Sequence, residues 1–336
     1  MTKTDRHILI LRFSALGDVA MTLPVIYSVA AAYPQTQFTM VTRPFFARLF
    51  INRPENLNII GLDPKEYSGV AGTLRLMRRL KALRPTAVAD LHNMLRTWLI
   101  DNYFRAHGVK VAMVDKRRTG RRKALRECSQ QPSFIDRYVD VFRRLGFKFE
   151  PTFTSVLAPD NHSPLEIARP AVGIAPFARY FSKTYPPELM LEVIKGLVAK
   201  GINVYLFGGR GKEAETLKDW ADSTGSVSLA GKHSIEDELA LMAGMDAIVS
   251  MDSANQHLAS LSGTKVVTIW GATTPECGFM PYRQSESSAI INRTDCQPCS
   301  VGGTPGCREG HFNCMRGIKP ATVVDRVIKT IENAKP

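Results

Sequence analysis

Three short segments combine charged and small residues in patterns that suit chemistry on a hydroxyl or a phosphate group. The first runs Arg12-Phe13-Ser14-Ala15-Leu16-Gly17-Asp18, with its carboxylate at the start of a predicted helix. Asp18 has two interpretations: it caps the helix, or it lies exposed at a ligand site as a general base. The segment lacks the Gly-x-Gly-x-x-Gly pattern, which argues against a dinucleotide cofactor at this site.

The second segment, Asp252-Ser253-Ala254-Asn255-Gln256-His257-Leu258, opens another predicted helix with small residues. The free amides and the dipole of such a terminus favour binding of a diphosphate. The alternative is an ordinary capped helix, in which Asp252 or Ser253 is the cap. His257, one turn into the helix, has the pattern of a hydrogen-bonded core histidine.

The third segment contains Lys183, in a loop that follows the first predicted strand of the second half. Its ammonium group either neutralises a leaving phosphate or is an ordinary surface charge. The chain has no Asp-x-Asp motif, which agrees with a reaction that uses no metal ion.

Short β-branched runs alternate with longer amphipathic runs, which predicts parallel sheets built from βαβ units. The predicted strands are His7–Phe13, Phe38–Thr42, Leu57–Leu62, Thr86–Leu91, Lys110–Val114, Ala171–Ala175, Asn203–Phe207, Val227–Ala230, Asp246–Met251 and Lys265–Trp270. The predicted helices are Val19–Tyr33, Gly69–Leu83, Phe134–Leu145, Pro187–Lys200, Lys212–Asp222, Ile235–Met242, Ser253–Leu261 and Thr322–Asn333. Ligands of such sheets bind beyond the carboxyl ends of the strands, where all three segments lie.

The length of 336 residues suits two domains, and a proline-rich stretch at about 158–170 has the character of a linker. We therefore expect one doubly wound α/β domain over 1–158 and a second over 170–336, with a ligand cleft between them. No apolar run approaches the ~20 residues that span a bilayer. The first residues resemble a strand and not a signal peptide, so we expect a cytoplasmic protein.

The net charge of +13 is concentrated in one half of the chain. Residues 1–150 contain 26 Lys and Arg against 12 Asp and Glu, whereas the remaining residues contain 18 against 19. Much of the excess lies in the run Lys116–Lys123 and in Arg75, Arg78, Arg79, Lys81 and Arg84. Single runs of this kind are often solvated faces, but a whole basic half indicates a polyanionic partner: nucleic acid, anionic lipid or a phosphorylated sugar.

Four cysteines, Cys296, Cys299, Cys307 and Cys314, lie close together in the sequence near the C-terminus. Their spacing resembles a structural zinc site, with His311 in the same stretch, but it matches no standard zinc finger. Free thiols are the alternative, and disulfides are disfavoured in a reducing cytoplasm.

The ordered set of motifs resembles the lipopolysaccharide heptosyltransferase family, glycosyltransferase family 9. The matching segments are Arg12–Asp18, Lys183–Pro186, Phe207–Gly209, Asp252–His257 and Trp270–Pro275, and the match covers about residues 7–334. The resemblance implies a GT-B fold of two Rossmann-like domains and an inverting, metal-independent transfer that needs no cofactor.

The resemblance also assigns roles to individual residues. It implies that Asp18 deprotonates the acceptor hydroxyl and that Lys183 lies near the donor phosphates. It also implies that Glu213 contacts the ribose and that His233 lies near the base. The remaining donor-binding residues would be Arg179, Asp252, Ser253, Ala254 and Asn255. Ala254 and Ala272 depart from the family pattern, which usually has glycine and proline there.

The donor implied by the resemblance is a nucleotide sugar, ADP-heptose, and the acceptor is an anionic glycolipid of the lipopolysaccharide inner core. We expect the basic residues Arg117, Arg118, Arg121 and Arg122 to bind this acceptor, at the inner face of the plasma membrane. One alternative is a nucleotide-sugar epimerase of similar fold. The other is a nucleic-acid-binding protein, but the chain lacks the clustered aromatic residues of a stacking platform and any recognisable DNA-binding motif. We therefore expect no nucleic-acid partner.

Overall fold

A computed structural model describes residues 6–116, 130–159 and 162–333. The chain divides into two compact units. Among the described residues, the N-terminal unit comprises 6–116 and 134–156, and the C-terminal unit comprises 130–133, 157–159 and 162–333.

The N-terminal unit contains a five-stranded, fully parallel sheet in the order β3-β2-β1-β4-β5. Its strands are β1 (His7–Leu11), β2 (Gln37–Thr42), β3 (Leu57–Gly61), β4 (Ala87–Asp90) and β5 (Lys110–Met113). Its helices are α1 (Leu16–Ala20), α2 (Leu23–Ala32), α3 (Pro44–Ala47), α4 (Gly69–Ala82), α5 (Leu95–Ala106) and α6 (Phe134–Arg144). Because the sheet is covered on both faces, the central strand β1 is buried along Ile8–Leu11.

The C-terminal unit contains a six-stranded parallel sheet in the order β11-β10-β9-β6-β7-β8. Its strands are β6 (Ala171–Ala175), β7 (Asn203–Leu206), β8 (Val227–Ser228), β9 (Ala247–Met251), β10 (Val266–Trp270) and β11 (Ala289–Ile291). Its helices are α7 (Pro187–Val198), α8 (Lys212–Thr224), α9 (Ile235–Ala243), α10 (Ala254–Leu261), α11 (Asn313–Arg316) and α12 (Pro320–Glu332). Helices α7 and α12 supply much of the apolar core beside the sheet.

Both sheets reverse their strand order beside their first strand, as in a doubly wound fold. The reversal lies between β1 and β4 in the N-terminal unit and between β6 and β9 in the C-terminal unit. Connections on the two sides of such a reversal leave in opposite directions and open a crevice at the carboxyl ends of the strands. The expectation of two doubly wound α/β units is therefore confirmed, and the two reversals show where each unit can bind a ligand.

Three local features of the N-terminal unit differ from the sequence prediction, one of which is the short helix α3, which was not predicted. The single helix predicted over Val19–Tyr33 is two helices, because the chain turns at Met21 and Thr22 and α2 restarts with Pro24 in its first turn. Helix α5 was not predicted. Its buried face includes Thr97 and Asp101, so the apolar periodicity that normally indicates a helix is absent.

Candidate functional site

Asp18 lies in the first turn of α1, directly beyond the carboxyl end of β1. Its Oδ2 atom is 2.6 Å from the Arg12 Nη2 atom and accepts a hydrogen bond of 3.1 Å from the Ala15 N–H group. Its Oδ1 atom has no hydrogen-bond partner among the described residues, and the side chain is 27% exposed. Asp18 therefore uses one oxygen at the helix terminus and leaves the other free to accept a proton.

Arg12 is the buried cation that fixes this carboxylate. Its Nη1 atom donates a 2.6 Å hydrogen bond to the carbonyl oxygen of Leu91, and its backbone N–H donates to Val41. The guanidinium is buried and stays protonated, so it is a fixed positive charge between the ends of β1 and β4. Sequence reasoning quoted Arg12 in the motif without giving it a role, although a cation directly after a buried strand was a usable signal.

On the other side of the strand reversal, β4 ends in a buried carboxylate. The Asp90 Oδ1 atom accepts hydrogen bonds from the backbone N–H groups of His92 (2.7 Å) and Asn93 (2.9 Å). Burial, and then the positive charges of Arg12 and Lys116, lower the pKa of His92 to about 3, so its ring is neutral near pH 7. His92 therefore contributes no charge to this site.

Asp101, on the buried face of α5, is the partner of Asp90. Burial, followed by the charge of Asp90 and a hydrogen bond with it, raises the pKa of Asp101 to about 8. Two carboxyl groups in an apolar environment cannot both ionise cheaply, so Asp101 keeps a proton that Asp90 accepts. This pair anchors α5 to the end of β4, and it was not predicted because α5 itself was missed.

In the C-terminal unit, an ion pair joins the loops on the two sides of the strand reversal. The Lys183 Nζ atom, in a 3-10 turn (Phe181–Lys183) after β6, is 2.6 Å from the Asp252 Oδ2 atom after β9. Thr273, after β10, donates a 2.5 Å hydrogen bond to the same oxygen, and Gln256 donates one of 3.1 Å to Oδ1. Asp252 thus positions Lys183, and the roles of Thr273 and Gln256 were missed because only the fold brings them to this carboxylate.

The residues after Asp252 form the N-terminus of α10. The Ser253 side chain accepts a 3.3 Å hydrogen bond from the Asn255 N–H group, so Ser253 is the helix cap. The N–H groups of Ser253 and Ala254 have no acceptor among the described residues, and all three residues are half-buried. Capping by Ser253 therefore leaves the backbone N–H groups of Ser253 and Ala254 available at the positive end of the helix dipole.

The remaining donor-site candidates lie on neighbouring loops at the same edge of the sheet. The Glu213 Oε2 atom, in the first turn of α8, accepts a 2.7 Å hydrogen bond from the Gly209 N–H group after β7. His233 lies after β8, on a loop that is hydrogen-bonded to the β7 loop between Gly231 and Gly208. Arg179 is exposed, with its guanidinium over the Tyr180 ring. The structure pairs Lys183 with Asp252 and records no direct contact of either with these three residues.

The segment that contains the four cysteines packs onto the loops that carry Lys183 and Thr273. Gln297 donates a 2.5 Å hydrogen bond to the carbonyl oxygen of Gly271, and the Thr304 N–H group donates one of 2.7 Å to the Ser182 hydroxyl oxygen. The segment therefore helps to fix the turn that carries Lys183.

The four cysteines Cys296, Cys299, Cys307 and Cys314 are free thiols in the structure, and the zinc site stays a prediction. Within the described ranges, no three His, Cys, Asp or Glu side chains are arranged to bind a metal ion. Burial, followed by the neighbouring cysteines, raises the pKa of Cys299 and raises that of Cys314 to about 11. His311 Nδ1 accepts from the Asn313 N–H group, so the proton is on Nε2, 4.0 Å from the Cys296 sulfur.

The predicted acceptor-binding arginines Arg117, Arg118, Arg121 and Arg122 lie outside the described residues.

The Asp90–Asp101 pair predicts an unusual pH dependence of stability. Asp101 has a folded pKa near 8 and an unfolded pKa near 4, so the folded state binds more protons between these values. The free energy of unfolding of the wild type should fall as pH rises through this window, by up to about 1.4 kcal/mol per pH unit. Asp101→Asn should remove this slope and raise the melting temperature at pH 7.5.

The measurement is thermal unfolding from pH 4.5 to 8.5. Asp140→Asn, which alters an exposed ion pair with Arg144, is the control and should follow the wild type. Parallel curves for Asp101→Asn and the wild type would mean that Asp101 is ionised in the folded protein.

Comparison with known proteins agrees with this geometry. The model of glycosyltransferase family 9 (heptosyltransferase) matches residues 73–306. A lipopolysaccharide core heptosyltransferase, OpsX, of Haemophilus influenzae is 25% identical over 88% of this chain and 87% of its own. Lipopolysaccharide heptosyltransferase 1 of Escherichia coli is 24% identical over 80% and 89%. The solved structure of E. coli ADP-heptose lps heptosyltransferase II covers 97% of this chain and 99% of its own, with 19% identity and a TM-score of 0.72. The two chains share the GT-B fold. The chain therefore belongs to glycosyltransferase family 9, the heptosyltransferase family, and is a glycosyltransferase.

Proposed function

We propose that the chain is an inverting, metal-independent heptosyltransferase that moves heptose from ADP-heptose onto the inner core of lipopolysaccharide. The names of its relatives support the sugar and the acceptor class, since both curated relatives are lipopolysaccharide heptosyltransferases. The name of the solved E. coli structure supports ADP-heptose as the donor. The reaction needs a base for the acceptor hydroxyl and positive charge for the leaving diphosphate.

The arrangement of Asp18 is the observation that carries the proposal. Arg12 and the Ala15 amide hold Oδ2, so Oδ1 can take the proton of the acceptor hydroxyl without loss of orientation. As that proton moves to Oδ1, the acceptor oxygen forms a bond to the anomeric carbon of the donor. The bond from the anomeric carbon to the diphosphate breaks on the opposite face, and ADP leaves with the electron pair.

The leaving diphosphate gains negative charge in this step, and groups of the C-terminal unit are suited to stabilise it. Asp252 orients the Lys183 ammonium, and the open amides of Ser253 and Ala254 add the dipole of α10. These groups supply the positive charge that a divalent ion supplies in other transferases, so we propose that the reaction needs none. The methyl group of Ala254 limits how closely a phosphate approaches the backbone.

The other donor-binding assignments follow the family resemblance. We propose that Glu213 contacts the ribose, that His233 lies near the base, and that Asn255 contributes to the sugar or diphosphate site. Arg179, exposed after β6, would add a second cation to the phosphates. The C-terminal unit would then bind the donor and the N-terminal unit the acceptor.

The basic character of residues 1–150 supports an anionic acceptor. We propose that Arg117, Arg118, Arg121 and Arg122 contact its charged groups, and that the protein acts from the cytoplasm at the inner membrane surface. Among the described residues, no helix combines the length and the apolar character needed to cross a bilayer. Binding of nucleic acid is not part of the proposal, since it would leave Asp18, Lys183 and Asp252 without a role.

An epimerase of similar fold is the alternative enzyme, and the two activities differ in their need for an acceptor. Purified protein is incubated with ADP-heptose, with and without a heptose-free inner-core acceptor, and the products are identified by mass spectrometry. Transfer predicts that the donor is consumed only with the acceptor present, and that the acceptor gains the mass of one heptose residue. Acceptor-independent conversion of the donor into an isomer would support the epimerase.

Asp18→Asn tests the proposed base. The change keeps the size of the side chain and removes its ability to take a proton, so kcat should fall by about two to four orders of magnitude with ADP affinity unchanged. Asp140→Asn, which breaks an exposed Asp–Arg pair of the same unit, is the matched control and should be fully active. Near-normal turnover of a folded Asp18→Asn protein would remove Asp18 from the mechanism.

Lys183→Ala tests the proposed phosphate cation. Because one aligned positive group stabilises the leaving charge, kcat should fall by about 100-fold and ADP should bind more weakly, measured by kinetics and calorimetry. The change also leaves the buried Asp252 without its counter-charge, so thermal unfolding is recorded for each variant and Lys183→Arg serves as the charge-preserving variant. Lys218→Ala, which breaks an exposed pair on α8, is the control. Unchanged kinetics and ADP affinity would make Lys183 a structural residue only.

Metal independence has a direct test. Protein dialysed against EDTA and assayed in metal-free buffer should retain full turnover, because Lys183 and the α10 terminus carry the positive charge. Addition of Mg²⁺ or Mn²⁺ should change the rate by less than about twofold, as expected for weak ionic effects on exposed charges. A reproducible requirement for either ion would contradict this part of the proposal.

A further inference from the structure

The N-terminal unit exposes large apolar side chains in a restricted region. Ten such side chains are exposed among the described residues, and seven of them belong to this unit. All seven lie in or directly before the helices that follow β2, β3 and β4, namely Phe45, Val70, Leu74, Met94, Leu95, Trp98 and Leu99. We call this set the apolar edge. Parallel strands end at one edge of a sheet, so the apolar edge lies at the same sheet edge as Asp18.

The exposure is not a by-product of helix packing. Helix α5 buries Thr97, Ile100, Asp101 and Phe104, and it exposes Leu95, Trp98 and Leu99. Leu95 is 75% exposed and Trp98 51% exposed, where a surface helix normally carries polar residues. Exposed apolar patches of this kind mark sites of interaction with another molecule or a membrane.

The charges beside the apolar edge identify the partner. Helices α4 and α5 carry no exposed acidic residue, because the one acid within them, Asp101, is buried. Of their cationic side chains, Arg75 and Arg96 lie near the apolar edge, whereas Arg79, Lys81 and Arg105 lie in the last helical turns. Apolar residues that include a tryptophan, on helices that carry Arg75 and Arg96 and expose no acidic side chain, match an anionic lipid surface. In such a contact the tryptophan enters the interface and the cations meet phosphates.

We propose that the apolar edge docks on the surface of an anionic lipid bilayer and thereby presents Asp18 to acceptor headgroups in that bilayer. The bilayer binding is independent of the chemistry, whereas the role in presenting the acceptor rests on the proposed function. The insertion is peripheral, through side chains of α3, α4 and α5.

Tryptophan fluorescence of the full chain tests the contact. The chain has three tryptophans, and the other two, Trp220 (9% exposed) and Trp270 (0%), are buried, so a spectral change on binding reports Trp98. Vesicles of phosphatidylglycerol and phosphatidylcholine should shift the emission to shorter wavelength, and brominated lipids should quench it. Pure phosphatidylcholine should give a much weaker effect.

Leu95→Ser/Leu99→Ser keeps the Trp98 reporter and removes two inserting side chains. It should lower the vesicle partition coefficient by about tenfold or more, measured by flotation. The matched control is Leu165→Ser/Val227→Ser, which alters two exposed apolar residues of the C-terminal unit and should bind like the wild type. Circular dichroism verifies that each variant is folded.

Two acceptors separate the docking proposal from the proposed function. The Leu95→Ser/Leu99→Ser variant should transfer normally to a deacylated, water-soluble acceptor and at least about tenfold more slowly to the acceptor in vesicles. Absence of transfer to both acceptors by the wild type, with Trp98 still quenched by brominated lipid, would overturn the proposed function and leave the docking surface in place. The docking proposal would be overturned if brominated lipid did not quench Trp98, or if the two double variants partitioned equally. It would also be overturned if the wild type bound no vesicles but self-associated, and the Leu95→Ser/Leu99→Ser variant lost that self-association.

Discussion

At the carboxyl ends of parallel strands, a charged side chain keeps a fixed orientation when an oppositely charged side chain is buried beside it. Both units of this chain contain such a pair. In the N-terminal unit the buried partner is the cation, since Arg12 lies under Asp18 and leaves one carboxylate oxygen open. In the C-terminal unit the buried partner is the anion, since Asp252 is held by several donors and positions Lys183. The first arrangement leaves a carboxylate oxygen available to accept a proton, and the second leaves a positively charged ammonium group available to a phosphate. Sugar transfer from a diphosphate requires both groups.

The strand reversals explain why these pairs form where they do. In the N-terminal unit both members of the pair follow β1, and Arg12 connects them across the reversal by its hydrogen bond to Leu91 beyond β4. In the C-terminal unit the pair itself spans the reversal, since Lys183 follows β6 and Asp252 follows β9. In the N-terminal unit, Asp101 supports this junction through its interaction with Asp90. In the C-terminal unit, the cysteine-containing segment supports it through hydrogen bonds to Ser182 and Gly271. The chemistry therefore depends on loops that are far apart in sequence but adjacent in strand order.

Much of this could be predicted from the sequence, for a physical reason. Buried parallel strands require continuous apolar runs, so the described strands were predicted except the three-residue β11. Charged residues after such runs drew attention to Asp18, Lys183 and Asp252. Helix α5 was missed because Thr97 and Asp101 occupy its buried face, and with it the apolar edge was missed. Thr273 and Gln256 have no signal of their own, because only the folded loops bring them to Asp252. The zinc site suggested by the cysteine spacing stays a prediction.

The central claim is a single displacement in which Asp18 takes the proton while the acceptor attacks the anomeric carbon. Its most direct test is the stereochemistry of the product. Donor of one defined anomeric configuration is converted with ¹³C-labelled heptose, and the one-bond carbon–proton coupling at the anomeric centre is measured by NMR in donor and product. We predict the opposite configuration in the product, because attack and departure occur on opposite faces of the sugar. A product with the configuration of the donor would contradict the account, since retention requires a different sequence of bond-making steps.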